Sequence, residues 1–557
     1  MKLHLLVVAL LGCAMAAQAQ TPPGPNDAPA LRKASAPLPF LKKTGPVTQL
    51  IVDGKPFVML SGELHNSSAS STEYMKPIWN KLAALHLNTV IGTVSWELLE
   101  PEEGKFDFNL VDYQLQEARR HDMRLVLIWF ASWKNANSSY APLWVKANLE
   151  RFPRIQTKDG RNQEELTPLG DASLAGDAKA FRALMRHIRQ ADPQHTVVMM
   201  QVENETGMLG DSRDRSPLAE AAWNKPVPAE LMNYLLENRQ HLLPELGKVW
   251  EAGGFKSSGT WPEVFGSDPH SAEIFMAWYV GRYVGKVAEA GKSELALPMY
   301  ANAWLVQRDD QLPGGYPSGG PVSRVLDVWR AAAPRIDLLA PDIYLPDFKG
   351  VCASYTRSGN PLFIPEARAS AANLFWAVGQ HAALGYSPFG IENLNEDNPL
   401  GEAYEVLGNM IPVLAKYLPQ GKVLPVLQGD ENSQSVAFGG YRLEIGFPGR
   451  RPPGQPALPQ SQGPQAPQAQ ETKAFGLFVN TAPDEFLVVG SGLQVAFRPD
   501  SPGPGIAAIG TVDEGRYAKG QWIPGRRLNG DETGGGVRLM LRGPRIGLLK
   551  VKVYRHD

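Results

Sequence analysis

Cysteine is almost missing from this chain: Cys13 and Cys352 are the only two in 557 residues. Cys13 falls inside an N-terminal leader, so the mature chain keeps Cys352 alone and no intrachain disulfide can form. No His and Cys cluster stands at metal-ligand spacing, and the glycine runs at 314–315 and 534–536 lack the strand-and-helix setting of a phosphate loop. No metal or cofactor is therefore expected. Charge of one sign is not in excess either. The 55 basic residues against 57 acidic ones give a net charge of −2, which offers no basic footprint for nucleic acid. Beyond the leader, no apolar run is long enough to span a bilayer. These absences leave a small molecule or an uncharged oligosaccharide as the expected partner, and they leave the oligomeric state open.

Residues 1–19 have the layout of a secretory signal: Lys2, an apolar core over 3–11, and Ala17-Gln18-Ala19 as a small-x-small cleavage site. Leu10-Leu11-Gly12-Cys13 also resembles a bacterial lipoprotein box, but the well-formed later cleavage site favours soluble export, periplasmic or secreted, over a lipid anchor at Cys13. A Pro- and Ala-rich lead-in follows over 20–36. At this length more than one core is expected. The texture divides the rest into a barrel over 37–418 and an all-β domain over 419–557.

The organising stretch is TVVMMQVENETG at 196–207. Its apolar half has the character of a strand buried on both faces, which tolerates no charge in its middle, so Glu203, Asn204 and Glu205 belong where it emerges. Strand candidates at 57–63, 88–92, 124–130, 197–202, 297–301, 336–340, 361–366 and 386–391 alternate with helical patterns at 74–85, 111–121 and 178–191. This predicts a (β/α)8 barrel whose strand C-termini carry the site. Between 208 and 294 lies an insertion with Trp223, Trp250, Trp261 and Trp278, expected to form extra helices with aromatic cores or a substrate-contacting lid. After about Leu418, short alternating runs at 435–438, 475–479, 485–489 and 537–541 between Gly-rich turns predict a sandwich. The Pro- and Gln-rich 449–471 is expected to be a disordered loop within it.

The apolar run at 361–365 ends abruptly in Glu366, as the fourth strand ends in Glu205. Two carboxyls flanking one cleft suit glycoside hydrolysis, one to protonate the leaving oxygen and one to attack. By position on the strand ends, Tyr344 could hydrogen-bond the Glu366 carboxylate, and Trp304, Trp376, Glu392 and Asn393 lie on the same face. Glu203 points away from Asn204 and is expected to pair with a barrel cation such as Arg124.

WELLEPEEGKFDF at 96–108, together with QVENETG, resembles the WxxxEPxxGxFDF element of glycoside hydrolase families 35 and 42, both β-galactosidase families. Gly62-Glu63-Leu64-His65 resembles the Gly-x-x-His turn of family 35, whereas Pro142-Leu143-Trp144 with Phe152-Pro153 is closer to family 42. The resemblance, over about 57–393, implies Glu205 as acid/base, Asn204 as the holder of the sugar 2-hydroxyl and Glu366 as nucleophile, with Glu63, His65, Trp133 and Asn135 among the sugar-binding residues. One departure stands out. Where family 35 has Cys-Ala-Glu-Trp, this chain has Ala131-Ser132-Trp133-Lys134-Asn135, so Lys134 or Asn135 replaces a sugar-binding carboxylate or the specificity has drifted. The implied activity is retaining exo-hydrolysis of terminal β-D-galactosyl residues, with plant cell-wall oligosaccharides such as xyloglucan as substrates. The alternatives are another retaining β-glycosidase of the same clan or a non-catalytic sugar-binding barrel.

Overall fold

A computed structural model describes residues 37–447, 473–500, 502–518, 520–528 and 530–557. The leader, the lead-in and the 449–471 loop lie outside the described residues.

Eight parallel strands close into a barrel in chain order: β1 (Met59–Glu63), β2 (Thr89–Ser95), β3 (Arg124–Lys134), β4 (Val197–Asn204), β5 (Met299–Trp304), β6 (Leu338–Ile343), β7 (Ile364–Ala367) and β8 (Gly385–Pro388). The expected barrel class is thus borne out, with different strand ends. The sixth strand, expected over 336–340, instead runs on through Asp342 to Ile343, with Pro341 paired to Ala303. Period-two alternation divides each strand between two cores. Ile91, Val126, Ile128, Phe130, Val198, Tyr300, Leu338 and Phe363 fill the barrel interior. Leu125, Leu127, Trp129, Met200 and Val202 face the helices outside. This double burial is why the strands are continuous apolar runs. A three-stranded ribbon, Phe40–Thr44, Val47–Val52 and Lys55–Phe57, closes the opposite end: Leu50 and Val52 join the interior, and Asp53 pairs with Arg124 at the start of β3.

Two helices matter to the site, α1 (Asp171–Ala191) and α2 (Pro269–Lys292). The 208–294 insertion holds four short helices before α2, and its tryptophans pack inward. Trp250 and Trp261 are fully buried, and Trp223 and Trp261 both lie edge-on to Phe275 at 5.3 and 5.2 Å. Gly207 opens this segment at φ +124°, where an added Cβ would lie 2.7 Å from the Ser318 carbonyl.

The C-terminal part is all-β, a six-stranded and a four-stranded sheet sharing a core that includes Tyr441, Leu443, Phe478, Phe486, Val488 and Phe497. The outer face of the larger sheet, with Phe475, Leu477, Val479, Leu487 and Val489, joins the barrel's helix layer instead. There α3 (Ala371–His381) brings Phe375 to within 4.9 Å of Phe475, centroid to centroid. Among the described residues, no helix is long and apolar enough to cross a membrane.

Candidate active site

The tips of β3 and β4 break the alternation that governs the rest of the barrel. The β3–β4 register shifts between Trp129 and Lys134, and Glu203 and Glu205 adopt left-handed backbones, φ 63° and 44°. Such conformations cost energy in residues with side chains and persist where the surroundings hold them. The result is that Ser132, Trp133 and Glu203 turn outward toward α1 and α2, while Lys134, Asn204 and Glu205 turn into the mouth.

Glu203 has a different partner from the one its sequence position suggested. Its two oxygens accept the backbone N–H groups of Ser132 and Trp133 at 3.2 and 2.9 Å, and it lies against Asp177 of α1. Asp177 in turn accepts from Trp129 Nε1, Ser132 Oγ and Tyr283. Burial raises the pKa of both acids; the Asp177 charge raises that of Glu203 further, whereas the contact with Glu203 lowers that of Asp177. Arg124 instead meets Asp53 and the carbonyls of Gln194 and His195. Trp133 is also displaced from its expected place in the sugar site. The bulge turns its ring into the core, fully buried and edge-on to Tyr283 at 4.7 Å. Trp376 is the second correction: it sits midway along α3 beneath Lys349, whose ammonium is 4.4 Å from its ring centroid and donates to the Leu427 carbonyl. That is the seam with the C-terminal sheet, because five residues of helix carry it past the mouth.

The remaining residues converge. Glu205, Glu366 and Asp342 expose only 8%, 5% and 3% of their surfaces, and one oxygen from each lies within 4.8 Å of the others. Asp342 and Glu366 are register partners across β6 and β7. Tyr344 donates its hydroxyl to Glu366 Oε2 at 2.9 Å. Burial raises the Glu366 pKa, while Lys134 and Tyr344 pull it down. Glu205 is pushed up to about 7, chiefly by burial and then by the Glu366 charge. Three carboxylates so close could hold a hard cation as well as exchange protons, and burial raises the pKa of Glu205 and Asp342.

Around it, Asn204 is fully buried. Its Oδ1 accepts from Gln201 and Asn302, and its Nδ2 donates to Asn135 at 3.3 Å. Lys134 donates to the same Asn135 oxygen and lies 5.2 Å from the Phe130 ring centroid. Glu63, at the tip of β1, is buried with neither carboxylate oxygen partnered among the described residues, and its pKa is raised by burial and then by Glu366. Gly62 beside it leaves no room for a side chain, since a Cβ would sit 2.2 Å from Ile391. Glu392 Oε1 accepts from the His65 N–H and Ser68 Oγ, leaving Oε2 unpartnered among the described residues. His65 meets Asn393 through Nε2 at 2.7 Å and lies edge-on to Phe389. Trp304 is half-buried at the end of β5, in register with Asp342. Buried carboxylate oxygens without donors are what sugar hydroxyls satisfy.

Sequence reasoning missed Asn302 and Asp342. The signal for Asp342 was the one that found Glu205 and Glu366, an apolar run ending in an acid, but the expected strand over 336–340 stops two residues short of it. Asn302 stood out as a lone amide within the apolar MYANAW.

Residues 66–258 match the family model described as Glyco_hydro_42, Beta-galactosidase, and residues 400–540 match a Domain of unknown function, DUF5597. A beta-galactosidase of Xanthomonas manihotis is 33% identical over 171 residues, 29% of this chain and 26% of that relative, so the chain aligns with about a quarter of its length. Among solved structures, the cold-adapted beta-galactosidase from Rahnella sp. R3 is 14% identical with a TM-score of 0.43, over 65% of this chain and 57% of that one. Gan42B, a GH42 beta-galactosidase, is 11% identical with a TM-score of 0.49, over 93% and 100%. Family 35, the first resemblance drawn from the motifs, is not among these matches. Within its barrel, over residues 66–258, the chain is similar to the family 42 β-galactosidase model.

Proposed function

We propose that the protein is a retaining exo-β-galactosidase. The observation that carries this reading is the pairing of Glu205 and Glu366, both buried and within 4.8 Å, with a tyrosine donor on Glu366 alone. Inverting enzymes hold their carboxyls about 6.5–9.5 Å apart to admit a water, and retaining ones about 5–5.5 Å. Tyr344 donates to Glu366 and Lys134 lies near it, so Glu366 is the acid favoured in ionised form and takes the nucleophile's role. Glu205, pushed up to about 7, retains its proton near neutrality and takes the acid/base role. Glu366 attacks the anomeric carbon as Glu205 protonates the departing oxygen; Glu205 then deprotonates the water that releases the sugar. Asn204, Glu63, His65, Asn135, Trp304 and Glu392 bind the sugar in this scheme. Lys134 or Asn135 takes the place of the carboxylate in the family 35 pattern.

The galactosyl preference is supported by the family 42 match and by the β-galactosidase relative. Terminal β-galactosyl groups of plant cell-wall oligosaccharides such as xyloglucan fit an exported enzyme for uncharged substrates, and the expected leader at 1–19 supports export. A panel of nitrophenyl β-D-galactoside, β-D-glucoside, β-D-fucoside and α-L-arabinoside, with the anomer of the first-formed product followed by NMR, tests the reading. The galactoside should be preferred and the β-anomer should appear first. Preference for the glucoside would remove the galactosidase assignment, and initial α-product would remove the retaining mechanism.

A further inference from the structure

Asn302 joins three strands through one amide. It stands on β5 two residues past Tyr300, so the period of two that sends Tyr300 into the barrel interior sends Asn302 there too, and it is buried. The backbone ladder between β4 and β5 ends at Gln201 with Tyr300. Beyond that point the Asn302 side chain takes over. Its Oδ1 accepts the Glu205 backbone N–H at 3.0 Å, and its Nδ2 donates to Asn204 Oδ1 at 3.0 Å and to Asp342 Oδ2 on β6 at 2.8 Å.

These contacts fix the polarity of a row of amides. A backbone N–H can only donate, so the atom of Asn302 that meets Glu205 is the oxygen and the atom that meets Asn204 is the nitrogen. Asn204 must answer with Oδ1, which also accepts from Gln201 Nε2 at 2.8 Å. Two donors occupy both lone pairs of that oxygen. The Asn204 nitrogen is thereby turned the other way, toward Asn135 Oδ1 at 3.3 Å, and this contact uses one of its two N–H groups. The second N–H has no acceptor among the described residues, although Asn204 is fully buried. A sugar oxygen is the partner it lacks.

We propose that Asn302 is a positioning residue that decides which atom of Asn204 meets the substrate: it holds that amide with an N–H toward the mouth, so the sugar oxygen there is bound as an acceptor. This rests on the reading of Asn204 as the residue that holds the sugar 2-hydroxyl. A 2-hydroxyl that accepts from Asn204 keeps its own proton free to donate. Glu366 Oε1, buried and without a donor among the described residues, is an acceptor in the same mouth, and hydrogen bonds of the 2-hydroxyl strengthen in the transition state of such reactions. An Asn204 turned the other way would take that proton itself. The same Asn302 amide ties down the backbone of Glu205, so the group that orients the sugar and the group that protonates its leaving oxygen are set by one side chain.

The test measures what the 2-hydroxyl is worth. The ratio of kcat/KM for the nitrophenyl β-glycoside that wild type prefers to kcat/KM for its 2-deoxy form is determined for wild type, Asn302→Ala and Asn302→Asp, with folding checked by circular dichroism. Alanine leaves Asn204 Oδ1 with Gln201 alone and frees the amide to turn. Aspartate offers only oxygens and draws the Asn204 nitrogen to itself. The ratio should fall by about threefold or more in Asn302→Ala and about tenfold or more in Asn302→Asp, as expected for a weakened or lost hydrogen bond. Merely structural damage would slow both substrates alike and leave the ratio in place. A smaller fall in any folded variant would overturn the proposal, and Asn302→Ala, which adds no charge beside Asp342, serves if Asn302→Asp does not fold. Preference for a glucoside would remove the galactosyl assignment and leave this test intact, whereas a wild type that turns over no glycoside would overturn both.

Discussion

At the scale of single residues, the two central acids differ in what their loss should do. Glu205→Ala keeps the nucleophile, so an activated aryl galactoside should still form the glycosyl-enzyme and azide should speed its breakdown. Glu366→Ala should lose about a thousandfold or more on every substrate, because no covalent intermediate can form. Equal losses on an activated substrate would overturn the assignment. Tyr344→Phe removes a hydrogen bond to a charged group, worth about 1.5–3 kcal/mol. It should lower kcat/KM roughly ten- to a hundredfold. Because Tyr344 holds the Glu366 pKa down, its loss should also move the acid limb of the pH profile upward. In wild type the alkaline limb should lie near 7, where Glu205 gives up its proton; an alkaline limb above about 9 would be inconsistent with Glu205 as the acid.

At the scale of elements, the β3–β4 tip depends on one buried acid. Glu203→Ala would strand the N–H groups of Ser132 and Trp133 inside the protein and release the bulge that aims Lys134 and Asn204 into the mouth. Each unsatisfied buried group costs about 1–3 kcal/mol, so denaturant unfolding should show a loss of several kcal/mol, with KM raised alongside. Arg124→Ala breaks a partly exposed pair with Asp53 and should cost only about 0–1 kcal/mol. Equal effects of the two variants would mean that Glu203 does not anchor the bulge.

At the scale of the whole molecule, the acids are an expense to stability. Glu63, Asp177, Glu203, Glu205, Asp342 and Glu366 all have pKa values raised by burial. A carboxyl with its pKa raised on folding holds a proton that the unfolded chain has released, so stability falls as pH rises through that window. For Glu205 the window runs from its ordinary 4.5 to about 7, and its contribution is roughly 3 kcal/mol. Tm should therefore fall from pH 5 to pH 8, and Glu205→Gln should lessen the fall. A Tm that rises over this range would contradict the arrangement. The larger C-terminal sheet is equally bound to the barrel: Leu477 and Val479 lie in the barrel's outer core. A chain ending at residue 418 would expose that apolar face and should aggregate where the full chain stays in solution.

The sequence by itself determined the barrel, the all-β C-terminal part, and the strand ends that carry Glu205 and Glu366. Each follows from local pattern: a run of apolar residues buried on both faces must discharge its first carboxylate at its end, and that end is the barrel mouth. Tyr344 was legible for the same reason, since two residues past a strand tip still count from the strand. Only the tertiary structure decided which way the tips turn. The shifted register before Lys134 breaks the alternation on which sequence reading depends, so Trp133 went outward against Tyr283, and Glu203, on the side expected, met the backbone of Ser132 and Trp133 in place of Arg124. Trp376 was lost to the mouth once its helix started early enough to carry it to the seam. Asp342 and Asn302 came into view only when closure of the barrel set β4, β5, β6 and β7 side by side, because contacts made across strands have no signature along any one of them.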